Sequence, residues 1–169
     1  LDVAKHAACT YVECLTQKDF ITLTTFSSSS NLVFGWTRCD QKGKQEMRRL
    51  MMSIRTEGDT NFVSAIKASF AAFERLPPFL LPSKCILSSI ILTDGQPSSR
   101  YSVPQGYEKF GMECGAKIPA DTLPSITTIG IGNSVDSELL SSLGFFLHMP
   151  DAGCVGPVIV NLIASVRTI

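Results

Sequence analysis

Cys85-Ile86-Leu87-Ser88-Ser89-Ile90-Ile91-Leu92-Thr93-Asp94-Gly95-Gln96-Pro97 is the stretch whose reading decides the fold. From Cys85 to Thr93 the run carries apolar residues at both odd and even positions, broken only by serines. A strand points successive side chains to opposite faces. Apolar residues at both parities therefore predict a strand covered by helices on each side, as at the centre of a parallel sheet. Asp94-Gly95-Gln96-Pro97 ends it as a sharp turn.

Reading upstream, Leu1, Ala4, Ala8, Tyr11, Val12 and Leu15 recur at helical spacing and predict an amphipathic helix over residues 1–17. Residues 20–26 are β-branched and aromatic enough for a strand, 27–31 break it, and Leu32-Val33-Phe34 reads as a short hairpin partner. Residues 41–55 form a second helix with Met47, Leu50, Met51 and Ile54 on one side. Its Lys42, Lys44, Arg48 and Arg49 read as a solvated face. The 57–61 loop leads into a third helix with Phe62, Ala65, Ile66, Phe70 and Phe73 inward, stopped by Pro77, Pro78 and Pro82.

Downstream of the turn, residues 98–120 read as a loop with a helix near 107–114, and 126–131 as another strand. Asp136 caps a helix ending at Leu143, 145–148 form a last short strand, and 155–166 a final helix. Strands alternating with helices predict an α/β doubly wound, Rossmann-like sheet. A chain of 169 residues without an internal linker predicts a single domain over 1–169.

With 44% hydrophobic and 18% charged residues, the composition excludes intrinsic disorder. Fifteen basic residues balance fifteen acidic ones, so no electrostatic case exists for nucleic acid or an anionic membrane surface. The apolar run at 85–92 falls far short of the ~20 residues that span a bilayer. None of the six cysteines is spaced as C-x-x-C, and His6 and His148 lie far from any cysteine pair, which excludes an ordinary structural zinc site. Free thiols in a reducing compartment, the cytoplasm, are the expectation.

In a doubly wound sheet, functional loops lie at the carboxyl ends of strands. Asp59-Thr60-Asn61 and Thr93-Asp94-Gly95 have that address. A hydroxyl and a carboxylate there are hard oxygen donors, suited to Mg²⁺ or Mn²⁺. The plainer reading is that Asp59 or Thr60 caps the third helix and Asp94 makes a turn.

These residues carry a resemblance. Leu92 to Pro97, with the Gly58-Asp59-Thr60-Asn61 loop before it, resembles the von Willebrand factor type A (vWA) family. The likeness runs along nearly the whole chain. Leu1-Asp2-Val3-Ala4-Lys5 resembles the family's first helix, and residues 19–28 its second strand. Thr128-Ile129-Gly130-Ile131-Gly132 with residues 135–140 resembles the fifth strand and its helix, and residues 148–161 are similar to a eukaryotic subgroup.

The resemblance implies a protein-interaction or adhesion module with a metal-ion-dependent adhesion site, not an enzyme. In that family an Asp-x-Ser-x-Ser motif on the first strand supplies most ligands, and the partner protein's carboxylate completes the Mg²⁺ or Mn²⁺ shell. Carried over, Thr60 is the loop threonine and Asp94 the aspartate. The Asp-x-Ser-x-Ser segment has no counterpart in this sequence, Asp59 stands where glycine is common, and the turn at 143–146 is short. The metal site is expected to be incomplete, and a metal-independent scaffold is the alternative.

Without the first, central strand of such a fold, two neighbours would expose backbone groups in the core, at roughly 1–3 kcal/mol each. The expectation is therefore an amino-terminally truncated piece of a longer protein, or a gap filled by another strand. Two neighbouring strands paired directly would contradict it. Ser27, Ser28, Asp59, Tyr101 and Tyr107 are further candidates for partner contact, with the 98–111 loop and Trp36 as apolar surface. Trp36 reads equally as packing over the sheet edge.

A hydrolytic or nucleotide-binding enzyme is the rival class. Ser64-Ala65-Ile66-Lys67 matches a Ser-x-x-Lys pattern, but its companion motifs are absent and a solvated pair explains it. Neither a Gly-x-Ser-x-Gly elbow nor a phosphate-binding Gly-x-x-x-x-Gly-Lys loop occurs, and Gly130-x-Gly132 lacks a third glycine.

Overall fold

Two short sheets share one layer, with helices on both faces. The computed structural model describes residues 1–56, 58–80 and 85–167. α1 (Asp2–Cys14) leads to β1 (Phe20–Phe26) and β2 (Ser30–Arg38), then α2 (Gln41–Ser53) and α3 (Phe62–Glu74). β3 (Ser88–Thr93), α4 (Tyr107–Gly115), β4 (Ser125–Ile131), α5 (Ser137–Leu143), β5 (Phe145–Met149) and α6 (Val155–Arg167) complete the chain. Pro82 lies outside the described residues.

β3, β4 and β5 form a parallel sheet in that order, with Ser88 opposite Ser125 and Ile129 opposite Leu147. β1 and β2 form an antiparallel hairpin, with Phe20 opposite Arg38 and Phe26 opposite Ser30. β1 and β3 are not paired with each other.

The parity predicted for β3 explains the layering. Ile90 and Leu92, with Ile129, Ile131 and Met149, pack against Ala7 of α1 and against Val155, Ile159 and Leu162 of α6. Ile91, with Ile126 and Phe146, packs against Phe62 of α3 and Leu140 of α5 on the opposite face. The Thr128 hydroxyl, fully buried on that same side, is satisfied by the Leu140 carbonyl at 2.9 Å.

α1 crosses from one sheet to the other. Its Val3, Ala4 and Ala7 meet the parallel sheet, while Ala8, Cys9 and Val12 meet Ile21, Leu23 and Phe34 of the hairpin and Met47 and Met51 of α2. α3 crosses the other face in the same way. Phe62 stacks edge-on against Phe26 at 5.9 Å, and Phe73 against Trp36 at 5.6 Å. Phe62 also shares a cluster with Ile91 of β3. Two helices thus hold the half-sheets side by side.

Several boundaries differ from the sequence reading. β2 runs through Arg38 rather than ending at Phe34, because only 27–29 make the turn, closed by Ser27 N–H to the Ser29 carbonyl at 2.9 Å. Trp36 therefore lies inside a strand; its indole N–H reaches the Ala72 carbonyl at 3.3 Å and its ring packs on α3. β3 begins at Ser88, leaving Cys85 exposed ahead of it. α3 is capped by Asn61, whose side-chain oxygen accepts from Ser64 N–H at 3.0 Å, not by Asp59 or Thr60. Asp136 caps α5 as the sequence predicts, accepting from Leu139 N–H at 2.9 Å.

Candidate functional site

The loops after β1, before α3 and after β3 meet at one edge of the molecule. Asn61 ties the first two together. Its N–H donates to the Ser27 carbonyl at 2.9 Å, and its side-chain amide to the Ser28 carbonyl at 2.8 Å. Thr60 ties in the third, its carbonyl accepting from Ser98 N–H at 3.0 Å. The carboxyl ends of β1 and β3 therefore lie at the same loop, and the two strands run in the same direction.

Asp59 is the hub of this edge. Its side chain is only 10% exposed and takes hydrogen bonds from the Ser98 hydroxyl, Thr60 N–H (3.1 Å) and the Tyr101 phenol (3.2 Å), plus an ion pair from Arg100. The Arg100 guanidinium also lies over the Tyr101 ring, 5.3 Å from its centroid. The Ser98 hydrogen bond above all holds the Asp59 carboxyl below its usual range. Desolvation opposes it, and Thr60 N–H, the Tyr101 phenol and Arg100 add to it. Burial, helped by the Asp59 hydrogen bond, pushes the Tyr101 phenol up. Asp59 thus anchors the long loop after β3.

Thr60 lies beside Gly95, the residue that follows Asp94. A side-chain carbon added at Gly95 would come within 3.4 Å of the Thr60 hydroxyl. Asp94 itself points outward, its side chain 70% exposed and 3.8 Å from the Leu1 amino group. The remaining candidates fall on both sides of the surface. Ser28 is exposed and Ser27 buried. Tyr107 is turned into the fold: its ring packs edge-on to Phe62 at 6.0 Å and its hydroxyl donates to the Tyr101 carbonyl at 3.1 Å.

These residues do not amount to a metal centre on their own. Among the described residues no group of three or more His, Cys, Asp or Glu side chains could hold an ion. Both Asp59 oxygens are engaged within the protein, which leaves one hydroxyl, Thr60, and one carboxylate, Asp94. Mg²⁺ demands near-octahedral oxygen coordination and gives up its water reluctantly, so two protein donors do not fit it. Of the Ser-x-x-Lys pair, Lys67 lies 5.8 Å from the Phe110 ring centroid and Ser64 gives its N–H to the Asn61 cap in the first turn of α3, an arrangement with a structural explanation.

Sequence reading named the 98–111 loop for partner contact without singling out Ser98 and Arg100 as partners of Asp59. They lie 39 and 41 residues from Asp59 in the chain, in a loop without periodicity, so no local pattern marks them.

No family model matches this sequence, and no curated protein does. Solved structures do. A von Willebrand factor type A protein from Catenulispora acidiphila superposes with a TM-score of 0.78 at 16% identity, over 98% of this chain and 38% of that one. Proximal thread matrix protein 1 from the mussel byssus, with a zinc-occupied MIDAS motif, gives 0.72 at 16% identity, over 96% of this chain and 41% of that one. BatB from Bacteroides thetaiotaomicron gives 0.70 at 11% identity, over 99% of this chain and 88% of that one. The chain spans about two fifths of the length of the first two. At these identities the likeness speaks for architecture alone, and it agrees with the layering and strand order described above: the chain has the α/β fold of von Willebrand factor type A domains.

Proposed function

We propose that this chain is a protein-interaction module of the vWA type, and not an enzyme, whose contact surface is the loop edge at the carboxyl ends of β1 and β3. The observation that supports this most is the Asp59 hub. Four donors converge on one largely buried carboxylate and fix residues 98–101 against the loop before α3. Fixing a surface loop in advance lowers the entropy lost when a partner binds. Asp94, Ser28 and the Arg100 guanidinium are presented at that edge.

Thr60 and Asp94 form a partial set of metal donors. A mussel byssus protein of this fold carries zinc at its MIDAS motif. In this chain a comparable role for Mg²⁺ or Mn²⁺ requires donors beyond those two residues, so binding in the proposal rests on the protein surface itself. A metal-independent scaffold is the second reading, and the engagement of Asp59 inside the protein favours it over a metal-dependent one.

The test is site-specific photocrosslinking. A benzophenone amino acid at position 94 or 28 should yield one dominant protein adduct in an extract of the native host. The same probe at the exposed Asp121, in the segment before β4 and so at the amino ends of the parallel strands, should not. Equal labelling from all three positions contradicts the proposal.

A further inference from the structure

The outer edge of the parallel sheet lies in the least charged part of the chain. Residues 139–166 contain one Asp, Glu, Lys or Arg, which is Asp151, although the whole sequence carries 15 basic and 15 acidic residues. This segment supplies most of α5, all of β5 and nearly all of α6. Charged side chains are mostly exposed, so a flank that faces water ordinarily carries many of them. This one does not.

β5 pairs with β4 on one side and, among the described residues, with no strand on the other. A free strand edge is a template for association, and proteins guard such edges with Lys, Pro or bulges. The opposite outer strand, β2, is guarded: two register shifts interrupt its pairing with β1, and it ends in Arg38. β5 reads Phe145-Phe146-Leu147-His148-Met149, with no charged residue, no proline and no register shift against β4. Phe145 is 57% exposed there. α6 buries Val155, Ile159 and Leu162 together with Met149, and the exposed Gly156, Pro157, Val160 and Asn161 on its other side are all uncharged.

We propose that β5 is the interface through which two copies of this chain pair. The two strands meet antiparallel about a twofold axis perpendicular to the sheet and join β3-β4-β5 of each copy into one six-stranded sheet. A register centred on Leu147 sets Phe145 of each copy opposite Met149 of the other, and Phe146 opposite His148. Pro150 has no N–H to give and limits the ladder to these five residues. Both α6 helices then lie on the same face of the joined sheet. A second copy suits this edge because a twofold contact is self-complementary by symmetry, and an uncharged strand brings no like charges together when it meets itself. The interface lies at the side of the sheet and is independent of the loop edge assigned above to partner contact.

Sedimentation velocity of the 169-residue chain should show monomer giving way to dimer between about 1 and about 100 µM. Amide exchange in β5 should slow by about tenfold or more over that range, with β1 and β2 unchanged. Phe145→Lys places a charge on both copies at an exposed position and should weaken the dimer by about tenfold or more. His148→Lys, at the other exposed position of β5, should do the same, so the result does not rest on one variant. Leu32→Lys, on β2 and 68% exposed, should leave the dimer intact. A chain that stays monomeric through the range overturns the proposal. So does a dimer that both β5 variants leave unchanged, or one whose concentration-dependent protection falls in β1 and β3 instead of β5.

Discussion

The two half-sheets differ in how completely they are enclosed. In β3-β4-β5, Ile129 and Met149 are fully buried and Leu162 of α6 seals them. In the hairpin, all seven residues of β1 are only half-buried and Phe34 alone in β2 is buried. The residue types are similar, Leu and Phe against Ile and Met. What differs is the neighbourhood: among the described residues β4 pairs with a strand on each side, whereas β1 pairs with β2 alone. Burial follows from place in the sheet more than from side-chain hydrophobicity.

The largest test of that contrast is truncation of equivalent core residues. Ile129→Ala should cost about 3–5 kcal/mol and Leu23→Ala about 1–2 kcal/mol, in denaturant melts at equal protein concentration. Equal costs would mean that the hairpin is as tightly packed as the parallel sheet.

Backbone approach sharpens the contrast. A side-chain carbon at Gly144 would sit 2.2 Å from the Ile126 carbonyl oxygen, and one at Gly43 only 2.0 Å from that of Arg38. Each substitution to alanine forces a shift costing about 1–3 kcal/mol. Gly144→Ala should reach the global melting temperature, because it pushes β5 from β4. Gly43→Ala should loosen α2 and the hairpin first, read by amide exchange that speeds up there and not in β4.

A smaller effect lies at the loop edge between the halves. Because the folded Asp59 carboxyl is held below its unfolded value, its contribution to stability is present above the ordinary carboxylate range and is lost as pH falls through the folded pKa. Ser98→Ala removes the foremost cause. Carboxyl-carbon NMR titration should then find Asp59 shifted upward, and its pH-dependent contribution to stability smaller, with its acid loss complete at a higher pH. An unmoved titration would contradict the assigned hub.

Thiol reactivity offers the mildest probe. Burial pushes the Cys39 thiol, beside the end of β2, up to about 11, with nearby Asp19 adding to it. Iodoacetamide at pH 8 should modify the exposed Cys14 and Cys85 readily and spare Cys39 until the hairpin opens. Early labelling of Cys39 would show that the hairpin half opens on its own.

How far the sequence could be read follows the same division. β3 was legible because its apolar residues occupy both parities, and α3 because five inward residues recur at helical spacing. The length of β2 was not, since Asn31, Gly35 and Thr37 look like loop residues until paired with β1. Thr60 and Asp94 could be named from local motifs; Thr60 lies beside Gly95, while the Asp94 side chain points outward. Asp59 read as a helix cap or surface residue, since its partners Ser98, Arg100 and Tyr101 come from a loop some 40 residues away, which folding alone brings near. Tyr107 looked like loop surface, yet its ring is spent on Phe62.

Residue-resolved amide exchange across β1, β3 and β4 of the 169-residue chain tests most directly the claim that two half-sheets share one layer with open inner edges. The account predicts the slowest exchange in β4, and in β1 and β3 an alternation of slow amides bonded to β2 or β4 with fast ones on the edge without a strand partner. Uniformly slow exchange through β1 and β3, with direct cross-strand contacts between them, would contradict it.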